Sequence, residues 1–331
     1  MHRQVVHGGI GNIDAEKVLL SKGYQPLSFP CMDDFSLPAK WKRCWFLLVT
    51  WLTLPAGAWV VFQLPLYPRM SLWLLRLLAR RKSIKLIGFI ADIDGLKDGD
   101  EGLLQREQQM LRKFSAFIVH NQAMENWLRG FMPASKIEQI EFFDFLTTPV
   151  HRERHSGYEV VFAGNLAKSQ FLLQLGELQN QQPPVRFVLY GAGMEQVAHW
   201  PPNVEYKGVY DPYQLPHALE GVYGLVWDGD SIDGCAGSLG HYMAYISHHK
   251  LSLYLVAGLP IITAKKAASA ALVEKYGIGY AVDSLHEIAT LISQTDAATY
   301  QRMVQNTRAL AVKITQGKCL GDALDRLMDS F

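Results

Sequence analysis

Two doubly wound α/β domains, each a Rossmann-like parallel sheet facing the other across a central cleft, are the architecture this sequence predicts. Three observations lead there. The chain has 331 residues, more than one ordinary core accommodates and close to twice a usual domain. Strand-like and helix-like segments alternate along both halves, as strand–helix–strand crossovers in parallel sheets require. The alternation restarts after a polar run, His151-Arg152-Glu153-Arg154-His155-Ser156-Gly157, which reads as a linker and sets the domains at residues 1–150 and 151–331.

In the first half, Val5-Val6 reads as a strand, Gly8 to Asn12 as a glycine-rich loop, and Asp14 to Lys22 as a helix stopped by Gly23. Cys44 to Leu64 is apolar over a length that could cross a bilayer. Pro55-Ala56-Gly57 interrupts it, so it reads as a helix, a turn and a strand over 58–64 closed by Pro65. A basic amphipathic stretch over 69–82, a strand Ile84 to Ile90, a helix over about 100–113 and a strand Ala116 to Val119 follow. In the second half, strands are expected at Glu159–Ala163, Arg186–Tyr190, Val204–Lys207, Tyr223–Trp227, Pro260–Thr263 and Gly279–Val282. Ala297 to Met328 reads as helices broken near Gly317, and there is no repeat or low-complexity tract.

Composition narrows the function. Nearly half the residues are hydrophobic (49%) and charged residues make up 19%, which suits large cores rather than disorder. The formal net charge of +1 lacks the basic excess of a phosphate-tracking surface, so nucleic acid is not expected as a partner. Cys31, Cys44, Cys235 and Cys319 are widely spaced with no C-x-x-C pair, which suggests neither a disulfide framework nor a zinc knuckle. Met1-His2-Arg3 opens no signal peptide, and a cytoplasmic location is expected. Arg69, Arg76, Arg80, Arg81 and Lys82 beside Leu72, Trp73, Leu74 and Leu77 suggest peripheral contact with a membrane surface.

Four loops after expected strands carry chemistry toward the cleft, where ligands of open parallel sheets bind. Gly8-Gly9-Ile10-Gly11-Asn12 would let backbone N–H groups, at Gly9 and Gly11 above all, approach a phosphate or sugar at a helix start. Ala163-Gly164-Asn165-Leu166-Ala167-Lys168 delivers a glycine, the Asn165 amide and the Lys168 cation, which could neutralise a leaving diphosphate. Leu189-Tyr190-Gly191-Ala192-Gly193 could present backbone groups and the Tyr190 ring to a base. The fourth region combines Trp227-Asp228-Gly229-Asp230 with a helix whose first turn holds His249, Lys250 and Ser252 and which stops at Gly258 before an apolar strand. That combination of dipole, hydroxyl and cation makes a diphosphate site. Asp92-Ile93-Asp94 and Asp228-Gly229-Asp230 have the D-x-D form that binds divalent cations. Two lysines and a helix N-terminus could neutralise the leaving group in place of a metal, so no metal and no other cofactor is expected. His7, His120 and His241 are candidate acid–base groups, against the commoner role of a histidine as a hydrogen-bonded structural residue.

From about Ile87 onward the sequence resembles a known family. Asp92-Ile93-Asp94 with Leu96, Val119-His120-Asn121-Gln122-Ala123-Met124, Ala163-Gly164-Asn165-Leu166, Leu225-Val226-Trp227-Asp228-Gly229-Asp230-Ser231, and His249-Lys250 leading to Gly258-Leu259-Pro260 occur in order. It is similar to the bacterial β-1,6-galactofuranosyltransferases of O-antigen assembly and the related glucosyltransferase-3-like enzymes. The resemblance implies a GT-B fold, a UDP-sugar donor held mainly by the C-terminal domain and a glycan acceptor held by the N-terminal one. It also implies that Lys168, Tyr190, Gly191, His249, Lys250 and Ser252 contact UDP. Ala91 stands where the family often has a histidine before Asp-Ile-Asp, so that histidine's role does not transfer. The resulting expectation is inverting transfer of a hexosyl unit, galactofuranose as the best choice, to a sugar hydroxyl of a lipid-linked surface glycan. Asp92 or Asp94 would be the base, with His120 the next candidate. A homo-oligomer is compatible with the sequence. The rivals are a UDP-sugar 2-epimerase, which would turn over donor alone, and a non-catalytic partner subunit, which would not bind donor.

Overall fold

The computed structural model describes residues 9–31, 34–194 and 196–331. The strand expected at Val5-Val6, together with His7 and Gly8, lies outside the described residues. In the first half, α1 (Ile10–Ser21) leads to α2 (Leu37–Thr53), β1 (Trp59–Leu64), α3 (Arg69–Leu78), β2 (Lys85–Ile90), the short α4 (Asp94–Asp98), α5 (Glu101–Leu111), β3 (Ala116–Val119), α6 (Gln122–Arg129) and β4 (Lys136–Gln139). Its strands form a four-stranded parallel sheet in the order β1-β2-β3-β4, with Ile87 opposite Ala116 and Ala116 opposite Lys136.

The second half contributes β5 (Glu159–Ala163), β6 (Arg186–Tyr190), β7 (Val204–Tyr206), α7 (Leu215–Ala218), β8 (Tyr223–Val226), α8 (Gly237–Tyr242), α9 (His249–Val256), β9 (Ile261–Ala264), α10 (Ser269–Tyr276), β10 (Gly279–Val282), α11 (Ile288–Ser293), α12 (Ala297–Thr315) and α13 (Lys318–Asp329). These strands form a six-stranded parallel sheet in the order β10-β9-β8-β5-β6-β7. Inner strands of such a sheet are covered on both faces and read as apolar runs. β8 is buried along its whole length, whereas edge strand β4, Lys136-Ile137-Glu138-Gln139, is only half-buried.

Local chemistry sets the helix limits. Ser36, Asp100, Asn121 and Asp296 cap α2, α5, α6 and α12 by accepting a backbone N–H from the first turn. Gly317, in the left-handed region, separates α12 from α13 as the sequence predicts. Two expectations shift. The first helix begins at Ile10 rather than Asp14. The helix before Pro55 starts at Leu37, well ahead of the apolar run, because Ser36 and Pro38 provide its start. The polar run at 151–157 is not a solvated tether throughout. Arg154 is buried and its guanidinium donates to Ala257 O (2.8 Å) and Gly221 O (2.6 Å).

The chain crosses between the sheets twice. It passes from β4 to β5, and then from α12, which packs on α9, to α13, which packs back against β3, β4 and α1. Side chains close the cleft elsewhere. Tyr242 OH donates to Asp92 Oδ1 (2.7 Å), Tyr213 OH to Asp14 Oδ1 (2.8 Å) and Ser252 Oγ to Phe143 O (2.7 Å).

Where β6 ends, Gly191 has φ +135°, and a Cβ there would lie 1.8 Å from Gly164 O. Gly191→Ala is therefore expected to lower stability by about 2–4 kcal/mol, from backbone strain plus forced separation of two loops. Urea denaturation measures this, and a midpoint equal to that of the parent protein would refute the close packing.

Candidate active site

The end of β5 in the second sheet meets Ile10 and Phe145 of the first half at a cavity of about 260 Å³. Its walls are Ile10, from the first turn of α1, Phe145, the Ala163–Asn165 strand end with Lys168, Pro212 and Leu215 before and in α7, and His248, His249, Lys250 and Leu253 at α9. Two helices thus start at one cavity. Among the described residues no side chain caps α1 or α9, and neither helix carries an acid in its first turn. Uncapped N–H groups and the positive end of each helix dipole favour an anion there. Lys168 is exposed and has no hydrogen-bond or ion-pair partner among the described residues.

A buried charge cluster supports the floor. Lys250 Nζ donates to Asp228 Oδ1 (2.8 Å) and Trp227 O (3.1 Å), and lies 4.2 Å from the centre of the Phe162 ring. His248 Nε2 is 3.2 Å from Asp228 Oδ2, and Ser169 Oγ donates to Asp228 Oδ1 (2.8 Å). Burial alone would raise the Asp228 carboxyl, but the Lys250 ammonium and the His248 imidazole hold it well below the usual carboxylate range. Gly164 lets this happen. A Cβ at that position would lie 3.3 Å from Lys250 Cε, so the missing side chain leaves room for the lysine beneath the strand end. His248 Nδ1 and His249 Nε2 are buried with no hydrogen-bond partner among the described residues. Those nitrogens are closed off from solvent, although both residues line the cavity. Gly11 closes α1 on this corner, because a Cβ there would stand 3.3 Å from His249 Cδ2.

The loop after β2 meets the second half at Tyr242, and neither Asp92, Asp94 nor His120 is a lining residue of the cavity. Asp92 accepts from Tyr242 OH and lies 3.1 Å from Lys97 Nζ, while Asp94 lies 2.5 Å from Lys97 Nζ and accepts from Tyr67 OH (2.9 Å). Neither carboxylate caps α4. That role falls to Glu107, which accepts from the N–H groups of Asp94 (3.0 Å) and Gly95 (2.8 Å). Burial opposes the charge of Lys97, yet Asp94 and Asp92 together hold its ammonium above the ordinary range. His120 is fully buried. Its Nδ1 accepts from Ser247 N–H (3.2 Å), its Nε2 has no partner among the described residues, and burial pushes the imidazole down to about 4.

Of the donor-binding residues expected from the sequence, Asn165, Lys168, His249 and Lys250 line the cavity. Asn165 also caps the following turn through Ala167 N–H (3.1 Å). Gly9 precedes α1 at the cap position, one residue outside the lining. Tyr190 is not a lining residue. It is buried, its hydroxyl accepting from Glu220 N–H (2.9 Å) and donating to Ala218 O (3.2 Å). Gly191 is buried under Gly164, and the Ser252 hydroxyl is spent on Phe143 O, so neither faces the cavity. Asp230 is exposed beside Gly237 while Asp228 points to Lys250, so the second D-x-D pair diverges. Among the described residues no cluster of three or more His, Cys, Asp or Glu is placed to hold a metal ion. His241 is exposed on α8 and is not a lining residue. His248, Ile10, Phe145, Pro212 and Leu215 line the site without having been assigned to it. Only His248 had a sequence signal, as the residue preceding the helix start.

Two Rossmann-like parallel sheets with an anion-seeking cavity between the two halves have the architecture of the GT-B fold. The chain belongs to the glucosyltransferase 3-like family, whose N-terminal domain matches residues 4–130 and whose C-terminal domain matches residues 160–327. It is 32% identical over 262 residues to the β-1,6-galactofuranosyltransferase WbbI of Escherichia coli (strain K12), covering 76% of this chain and 74% of that protein. Among solved structures it is similar to the sucrose-phosphate synthase of Thermosynechococcus elongatus, with TM-score 0.61 and 14% identity over 92% of this chain and 81% of that one. It is also similar to Anabaena HepE in complex with UDP-glucose, with TM-score 0.58 and 14% identity over 88% of this chain and 82% of that one. These two likenesses concern the fold.

Burial also makes the two histidines beside the cleft pH-sensitive. His120 and His249 sit at about 4 in the folded protein, against 6.5 ordinarily. As pH falls through this window the unfolded imidazoles take protons that the folded ones refuse, so stability declines, by about 3 kcal/mol for each histidine at most. Asp144, whose carboxyl burial raises to about 6, acts in the opposite sense below that pH. The informative quantity is therefore the variant's slope. His120→Asn and His249→Asn should each flatten urea-measured stability between pH 6.5 and pH 4, and parallel profiles for parent and both variants would refute the buried neutral imidazoles.

Proposed function

We propose that the protein transfers a hexosyl unit, galactofuranose, from a UDP-sugar to a sugar hydroxyl of a lipid-linked surface glycan in the cytoplasm, in β-1,6 linkage and with inversion. The observation that carries the donor reading is the convergence of two uncapped helix N-termini and Lys168 on one cavity. A diphosphate suits that arrangement because its charge meets N–H dipoles and a cation already in place. The name of the Escherichia coli relative supports the choice of sugar and linkage.

In this reading Lys168 and the first turn of α9 neutralise the departing diphosphate. Lys250 acts indirectly, holding Asp228 and the helix start in position. Ile10, Phe145, Leu215 and Leu253 supply the apolar walls. The acceptor hydroxyl attacks the anomeric carbon opposite UDP, the carbon–oxygen bond to UDP breaks, and the hydroxyl proton passes to a carboxylate. Asp92 is the better base, since Asp94 is held more closely by Lys97 and also by Tyr67, while His120 is sealed from solvent. Metal is not needed here. Lys97 already compensates Asp92 and Asp94, and Asp228 and Asp230 point apart.

Incubation with a panel of UDP-sugars and synthetic or lipid-linked acceptors, with products read by mass spectrometry, tests the reading; turnover with UDP-galactofuranose should exceed that with the others and survive EDTA. Lys168→Ala should reduce turnover by roughly 10²-fold with an unchanged melting temperature. Lys250→Ala should instead lose stability as well, because Asp228 would be left buried and unpaired. Asp92→Asn keeps an acceptor for Tyr242 but cannot take a proton. It should lose roughly 10²–10⁴-fold in rate with near-normal UDP affinity, and near-normal transfer by both Asp92→Asn and Asp94→Asn would remove the carboxylate base.

A further inference from the structure

The most unusual surface of the molecule lies away from the cavity, on α2. Its inner face, Ala39, Arg43, Leu47 and Thr50, is buried. Its outer face carries Leu37 (71% exposed), Trp41 (75%), Trp45 (67%), Leu48 (44%) and Leu52 (62%), preceded by Phe35 (78%). The spacing of these residues keeps them in one stripe, with Lys40 and Lys42 about 100° to either side of it on the helical wheel. An exposed apolar patch of this kind marks an interaction surface.

Charge identifies the partner. Between Phe35 and Ala91, Lys and Arg occur nine times and Asp and Glu not once, although the whole chain has 32 basic and 31 acidic residues. Lys40, Lys42, Arg69, Arg76, Arg80 and Lys82 of this segment are exposed. α3 packs against α2 and adds the exposed Trp73. We propose that the outer face of α2 lies in the headgroup region of a bilayer rich in anionic lipid, with the tryptophans inserted and the lysines at its margins paired with lipid phosphates. Tryptophan favours that depth, and lysine beside an apolar stripe keeps its charge at the interface while its stem covers apolar surface. α2 is about 25 Å long and lies in the plane of the surface; no helix among the described residues is long and apolar enough to cross. A second copy fits less well, because a two-fold contact through this face would bring the same cationic margins together.

The sequence pointed to α3 for this role. The structure moves it, since Leu74, Leu75 and Leu78 of α3 are buried in the core and Leu72 and Leu77 are half-buried. The docking surface does not depend on the donor or acceptor, and its test uses neither.

Full-length protein is mixed with vesicles of phosphatidylcholine, with or without phosphatidylglycerol, and floated on a density gradient. It should float with the anionic vesicles at low salt, show blue-shifted tryptophan emission there, and be released by high salt. Trp41→Ser combined with Trp45→Ser should reduce the vesicle-bound fraction about tenfold or more at an unchanged melting temperature, and Lys40→Glu combined with Lys42→Glu should abolish the preference for phosphatidylglycerol. Absence of flotation overturns the proposal, as does flotation indifferent to both variants. A concentration-dependent dimer that the tryptophan variant dissociates would also overturn it, by assigning the face to a second copy.

Discussion

The segment from Ser247 to Ser252 ties the molecule together. Ser247 donates its N–H to His120 and receives the Asn121 amide (3.1 Å), both on the first sheet. His248 and Lys250 turn the other way to Asp228 on the second sheet, and Ser252 returns to Phe143 O between the sheets. Because α9 starts within this segment, its free N–H groups are aimed at the cavity by contacts to both domains. A buried ion pair gives modest net stability but is costly to break. Asp228 with Lys250 therefore acts chiefly as an alignment device, fixing which way the helix start faces.

The same geometry separates side chains that line the cavity from side chains that serve the fold alone. In the sequence, His249, Lys250 and Ser252 look equivalent, three polar residues in one turn. A helix turns about 100° per residue, so neighbouring positions face different surroundings. His249 lines the cavity, Lys250 is committed to Asp228, and Ser252 is closed off by a backbone carbonyl. Tyr190 parallels Ser252, with its hydroxyl satisfied by the loop at 218–220.

Much of the architecture was legible because alternation and glycine or proline punctuation are local signals. The strands at 116–119, 159–163, 186–190 and 279–282 fall where apolar runs between turn residues place them, and Gly317 breaks the final helices as expected. The lining of the cavity was legible at Asn165, Lys168, His249 and Lys250, which follow a strand end or open a helix. Ile10, Phe145, Pro212 and Leu215 were not, since apolar residues join a cavity only through the packing of distant segments. The half-exposed β4 and the early start of α2 were missed for another reason: edge strands lack a continuous apolar run, and a capped helix can begin ahead of one. The exposed stripe on α2 was hidden as well, because hydropathy alone does not say which face of an apolar helix the core takes.

The two crossings between the sheets lie side by side. Asp144 accepts the N–H groups of Cys319 (2.9 Å) and Leu320 (2.8 Å), and Phe145 N–H donates to Ile314 O (3.2 Å), joining the outgoing strand of chain to the returning one. A single connecting segment would hold the two sheets together at one point, whereas two segments bonded to each other also resist rotation of one sheet about the other. Tyr242 and Asp92, meeting elsewhere across the cleft, brace the same arrangement from a second place, as a gable is held by both its ridge and its tie beam.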